Sequence, residues 1–134
     1  MNKRAIGIII FMGAAMFFSC FAKESDKKSA NQFTSISMDD AAKLMETETD
    51  FILVDVRRPH EYNAGHIPGA VLLTNETISE TTAERILKNK DQKIFVYCRS
   101  GQRSRDAARK LSALGYTNVV NIGGIMSWKG KIEK

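Results

Sequence analysis

The residues best placed for chemistry stand in "IFVYCRSGQRSRDAARKL", 94–111, where Cys98 follows an apolar run and is crowded by Arg99, Ser100, Gly101, Gln102, Arg103 and Ser104. A thiol becomes a useful nucleophile when its thiolate is stabilised. Positive charge or a helix N-terminus does this, lowering the pKa from about 8.5 by one or more units. Arg99 and Arg103 bring charge, although one of them is free to point to solvent. Gly101 lets the backbone curl so that successive N–H groups face inward, and Ser100 and Ser104 add hydroxyl donors. Together they predict an anion cradle at a helix start. The plainer alternative is a strand-to-helix turn with surface arginines and a half-buried thiol. The whole string CRSGQRS after an apolar strand favours the cradle.

Other side chains are weighed against bland roles. Asp55 and Arg57 close the apolar run "FILVDV". They either hold the cysteine loop from behind or form an internal ion pair that fixes a strand end, and the ion pair is preferred. His66 is expected to order a turn rather than act as a base, His60 to be exposed and Arg58 to be solvated. Trp128, with Ile125 and Met126, is expected to pack the last helix on the sheet. Two histidines and one free cysteine give metal binding little support, and no cofactor is expected.

The elements that must position Cys98 alternate between strand and helix. "FTSIS" reads as a short strand, and Ser37 as an N-cap with Asp40 near the capping-box position, opening a helix over "MDDAAKLMETE". "FILVDV" and "KIFVY" are short continuous apolar runs, as expected of strands covered on both faces of a parallel sheet. "HEYNA" is a short helical turn and "GAVLL" another strand. "SETTAERILKN" is helical by spacing, with Ser79 or Thr77 as cap. "SRDAARKLSALGY" is the strongest helix, with Ala107, Ala108, Leu111 and Leu114 on one face and Gly115 as its stop. "NVVNI" makes a last strand before a closing turn and short helix. This order predicts an α/β fold with an open parallel sheet and helices on both faces. In such sheets ligands bind at the carboxyl ends of strands, which is where Cys98 falls.

The motifs together resemble a single rhodanese domain over 35–130. The likeness rests on Asp55, Val56, Arg57, Glu61, Tyr62, Gly65, His66, Ile67, Pro68, Gly69 and Ala70, on the CRSGQRS loop, and on Gly123, Gly124 and Trp128, with the final Gly displaced to Gly130. The resemblance implies a three-layer α/β/α domain with a mainly parallel five-stranded sheet, and a sulfurtransferase. In that family the cysteine matching Cys98 takes the outer sulfur of a small anionic donor such as thiosulfate, releases sulfite and holds a persulfide. Cyanide or a thiol then removes the sulfur. Residues 99–104 would bind the donor. Phosphatases and arsenate reductases of similar fold use a longer loop, with five residues between Cys and Arg; here four separate Cys98 from Arg103, and Tyr97 rather than His precedes the cysteine. A competing reading of another class is a non-catalytic or carrier module binding a sulfur or redox protein partner, against which retention of Cys98 argues.

The 134 residues leave room for one ordinary domain and an extension. Residues 1–22 read as a secretory signal peptide: Lys3 and Arg4, an apolar run from Ala5 to Phe18, then small residues around Cys20. "FFSC" resembles a lipoprotein box, although Phe17 stands where Leu is usual, so cleavage before Cys20 with lipidation is favoured over cleavage after Ala22. Residues 23–32 would be a flexible tether and 33–134 the domain, exported to the periplasm or cell envelope and held at a membrane by lipid. Without the signal the charge is 18 basic residues against 15 acidic, too mild for nucleic acid, and no basic run exceeds a pair. With Cys20 lipidated or removed, Cys98 is left unpaired outside the cytoplasm, where paired cysteines are the rule.

Overall fold

The computed structural model describes residues 32–134. The signal peptide, the Cys20 anchor and all of the tether except Gln32 lie outside the described residues. Five strands, β1 (Thr34–Ser35), β2 (Phe51–Asp55), β3 (Val71–Leu72), β4 (Lys93–Cys98) and β5 (Val119–Gly124), form one parallel sheet in the order β1-β5-β4-β2-β3. Four helices connect them: α1 (Met38–Thr47), α2 (Pro59–Ala64), α3 (Glu80–Ile86) and α4 (Gln102–Ala113). This is the α/β/α architecture expected from the alternating pattern.

Strand alternation divides the core into two layers. Val54, Ile94, Val96 and Cys98 face Ala83 and Leu87 around α3 and Ala107, Ala108 and Leu111 of α4. Leu53, Phe95, Tyr97 and Ile122 face the other way, against Met38 and Ala41 of α1 and Ile67. Each large apolar side chain so buried contributes about 1.5–3 kcal/mol. Local signals agree with this packing. The Ser37 hydroxyl accepts from the Asp40 N–H at 3.1 Å and donates to the Asp40 carboxylate at 2.8 Å, capping α1. Ser79, not Thr77, caps α3, accepting from the Thr82 N–H at 3.2 Å.

The differences have local causes. The first strand is two residues rather than five, because this edge pairs only with Val120 and Asn121 of β5 before Ser37 turns the chain into α1. The 79–89 segment is helical only to Ile86. Helix α4 begins at Gln102, two residues ahead of the expected Ser104, since Gly101 caps it by backbone conformation with no side-chain bond. The closing helix is a 3-10 turn, Ile125–Ser127, and Met126 is 71% exposed rather than packed on the sheet. Ile125 and Trp128 do pack there.

Candidate active site

Cys98 ends β4 with its side chain on the α4 face, 1% exposed. The chain must then reverse into α4 within three residues. Gly101 makes this reversal at φ +109, in the left-handed region that suits glycine. The turn brings its N–H to 3.0 Å from the Cys98 Sγ. Gly124 of β5 lies beneath the loop, where a Cβ would fall 2.6 Å from the Ser100 Cα and collide with the Arg99 carbonyl oxygen. The Met126 N–H donates to that carbonyl at 3.3 Å. A floor without side chains therefore lets the loop settle onto β5.

Ser104, fully buried, is the second clamp on the sulfur. The Cys98 thiol donates to its Oγ at 3.6 Å, and the Ser104 hydroxyl donates in turn to the Asn121 Oδ1 at 2.7 Å. Asn121 Oδ1 is oriented by the Gly123 N–H, 3.2 Å away. Carbonyls of Gly101 and Gly123 stand 3.0 and 3.3 Å from the same hydroxyl, so the serine is surrounded by acceptors. When the thiol ionises its proton no longer occupies the hydroxyl's lone pair, and the Ser104 O–H can turn toward the sulfur.

Burial pushes the Cys98 thiol up, but hydrogen bonds from the Ser104 hydroxyl and from the Ser104, Gly101 and Ser100 backbone N–H groups outweigh it and hold it below its ordinary value. Of the two devices expected from sequence, loop donors and arginine charges, the loop donors are the leading stabilisers. Arg99 is exposed, and among the described residues no carboxylate pairs with it. Arg103 is instead forked onto Glu61, with Nη1 2.7 Å from Oε2 and Nη2 2.9 Å from Oε1. Arg103 bonding, with burial opposing it and the Arg58 N–H assisting, lowers the Glu61 carboxyl to about 2. Gln102 is exposed in the first turn of α4, and Ser100 is exposed on the loop.

Asp55 and Arg57 form the internal ion pair. The Asp55 carboxylate accepts from the Arg57 N–H at 2.9 Å, from Nε at 3.0 and 3.1 Å, from Nη2 at 2.7 Å and from the Tyr97 hydroxyl at 2.8 Å. Arg57 Nη2 also donates to the Gly65 carbonyl at 2.7 Å, and the Tyr97 oxygen accepts from the Ile67 N–H at 3.1 Å. Neither side chain of the pair bonds to residues 98–104. His66 orders its turn: Nδ1 lies 2.9 Å from the Tyr62 carbonyl, the ring stacks on Tyr62, and its backbone pairs with Glu133. His60 is exposed, and Arg58, 3.4 Å from Glu76, is mostly solvated.

A groove of about 550 Å³ opens beside the loop, lined by Arg99, Glu61, His60, Met126, Trp128 and Ile132 among others. A more apolar groove of about 540 Å³, with Met45, Phe51, Ile67 and Val71 in its wall, shares no residue with the loop. Among the described residues no group of three or more His, Cys, Asp or Glu side chains stands together to hold a metal ion.

Sequence reasoning missed two participants. Asn121 was legible as a polar residue inside the apolar run "VVNI", a pattern that costs stability unless the amide is bonded. Glu61 lies 42 positions from Arg103, and no periodic pattern links them.

Residues 37–131 match the family model described as the rhodanese-like domain. The chain is 36% identical over 100 residues to the thiosulfate sulfurtransferase GlpE of Tolumonas auensis, covering 74% of this chain and 91% of that one. It is 39% identical over 99 residues to a sulfurtransferase of Allochromatium vinosum, covering 73% and 87%. Among solved structures, the rhodanese-like domain of an Anabaena protein superposes with a TM-score of 0.67 at 28% identity, covering 74% of this chain and 77% of that one.

Proposed function

The chain belongs to the rhodanese-like domain family, and from that premise we propose that it is a sulfurtransferase, moving a sulfane sulfur from thiosulfate or a related donor to cyanide or a thiol through a Cys98 persulfide. The observation that carries this reading is the convergence of the Gly101 N–H and the Ser104 hydroxyl on a buried, acidified Cys98 sulfur. The thiolate attacks the donor's outer sulfur, the S–S bond of thiosulfate breaks, and sulfite leaves with the bonding pair. The N–H groups that held the thiolate then hold the persulfide anion. Arg99, exposed at the mouth, draws the donor in. The relatives' names support the reaction class, and the loop, with four residues between Cys98 and Arg103, suits a sulfur atom better than a phosphoryl group.

The test is intact-protein mass spectrometry before and after thiosulfate, with Cys98→Ser alongside. A gain of one sulfur atom that needs Cys98 and is reversed by cyanide supports the cycle. A reduced, alkylatable Cys98 that gains no sulfur from thiosulfate or from a persulfide donor overturns it, in favour of a binding module.

We also propose that the domain of residues 33–134 works outside the cytoplasm, tethered through lipidated Cys20. The support is the basic start, apolar run and "FFSC" of residues 1–22. Mass spectrometry of the mature protein is expected to find a lipid-modified N-terminal Cys20; an unmodified Lys23 terminus overturns the anchor.

A further inference from the structure

The two arginines of the loop are not in the same electrostatic state. Arg99 is exposed and uncompensated, whereas Arg103 is held by both carboxylate oxygens of Glu61 at 2.7 and 2.9 Å, with the two side chains only 28% and 19% exposed. The carboxylate is fixed from the other side as well, since Glu61 Oε2 accepts from the Arg58 N–H at 3.1 Å in the cap of α2. A forked pair holds a guanidinium strongly, and here it occupies the Nη1/Nη2 end of Arg103 and sets a full negative charge against it. Arg103 nonetheless belongs to the site. It precedes Ser104, which touches the sulfur, and its guanidinium, stabilised first by Glu61 against burial, also feels the Cys98 charge.

We propose that Glu61 is a specificity-determining residue: by holding Arg103 in a forked ion pair it halves the loop's cationic charge and biases the Cys98 site toward sulfur donors of low charge, organic persulfides, over dianions such as thiosulfate. This rests on the sulfurtransferase reading above. With such a donor, bound as the monoanion R–S–S⁻, the Cys98 thiol passes its proton to the persulfide, the thiolate attacks the terminal sulfur of the resulting R–S–SH, the S–S bond breaks, and R–S⁻ departs with the bonding pair, leaving Cys98–S–SH. Atoms and charge balance without a further reactant. A dianion feels a missing unit of positive charge twice as strongly as a monoanion, so the selectivity is set by charge rather than shape.

Glu61→Gln removes the charge and keeps an oxygen for the Arg58 N–H. Transfer from thiosulfate and from a hydroxyalkyl persulfide is measured at low ionic strength. The variant is expected to lower KM for thiosulfate about 5- to 30-fold with kcat within about twofold, while KM for the persulfide falls by no more than the square root of that factor. Added salt should erase the gain. An unchanged or higher thiosulfate KM in a folded variant overturns the proposal, and so does an equal fall for both donors. The variant Glu61→Asp guards against a loosened α2, since it disturbs the packing of the carboxylate but keeps its charge. Its thiosulfate KM should stay well above that of Glu61→Gln, and a fall as large as that of Glu61→Gln would overturn the proposal. Failure of the unaltered protein to gain sulfur at Cys98 from either donor would sink the sulfurtransferase reading itself. Gain of sulfur without the KM shift would sink only the role of Glu61.

Discussion

The carboxyl ends of β2 and β4 are neighbours, with Asp55 in register with Tyr97, yet they are built to opposite ends. At β2 the carboxylate is saturated by an arginine fork, a backbone N–H and a tyrosine hydroxyl, and Arg57 is only 7% exposed. At β4 the Gly101 N–H donates to a sulfur, a weaker acceptor than oxygen, and the thiol donates in turn to the Ser104 Oγ, a looser set of bonds that can rearrange when the thiol ionises. A closed network stabilises and an open one reacts. Polar groups at a strand end mark a site when their bonding capacity exceeds what the protein itself uses.

Breaking the closed network should have the largest effect on stability. Asp55→Ala strands the Arg57 charge and the Tyr97 hydroxyl, and urea melts should show a loss of about 3–5 kcal/mol. Next comes the floor of the open network. Gly124→Ala drives a methyl into the Arg99 carbonyl and the Ser100 Cα, so sulfur transfer should fall at least about tenfold, with about 1–3 kcal/mol of stability. Ser104→Ala sharpens the contrast by removing one donor. The midpoint of Cys98 alkylation against pH should move upward, the rate near neutrality should fall roughly three- to tenfold, and stability should drop by about 1 kcal/mol.

The smallest effect concerns the pair that joins α2 to α4. Glu61 is depressed from 4.5 to about 2, so its stabilisation is fully present above about 4.5 and fades as pH falls toward 2. The stability difference between the protein and Glu61→Gln should therefore shrink by about 0.5–1 kcal/mol across that window and stay flat from pH 5 to 7, as read by melts at each pH.

The fold was largely legible because its signals are local. Apolar runs marked β2 and β4, and Ser37 and Ser79 announced their helices by side-chain caps. The start of α4 was misread because Gly101 caps by conformation, which leaves no side-chain signature, so that Ser104, read as the first helical residue and as a hydroxyl of the cradle, lies two residues inside the helix while it touches the sulfur. Cys98 and its donor-rich loop could be read from one contiguous string. The state of its charges could not, since Glu61 meets Arg103 only after the sheet brings α2 beside α4. Met126 went astray because a 3-10 turn does not keep the spacing that would have set it against Ile125 and Trp128.

Tyr97 and Cys98 are consecutive residues, and the pleat sends them into different layers, the tyrosine toward α1 and the sulfur toward α4. The backbone of β4 is therefore a partition between framework and reagent. Variation in the loop and α4 can retune the donor without reaching the Asp55 network, and a family built on this strand is free to diversify one side while the other keeps the molecule folded.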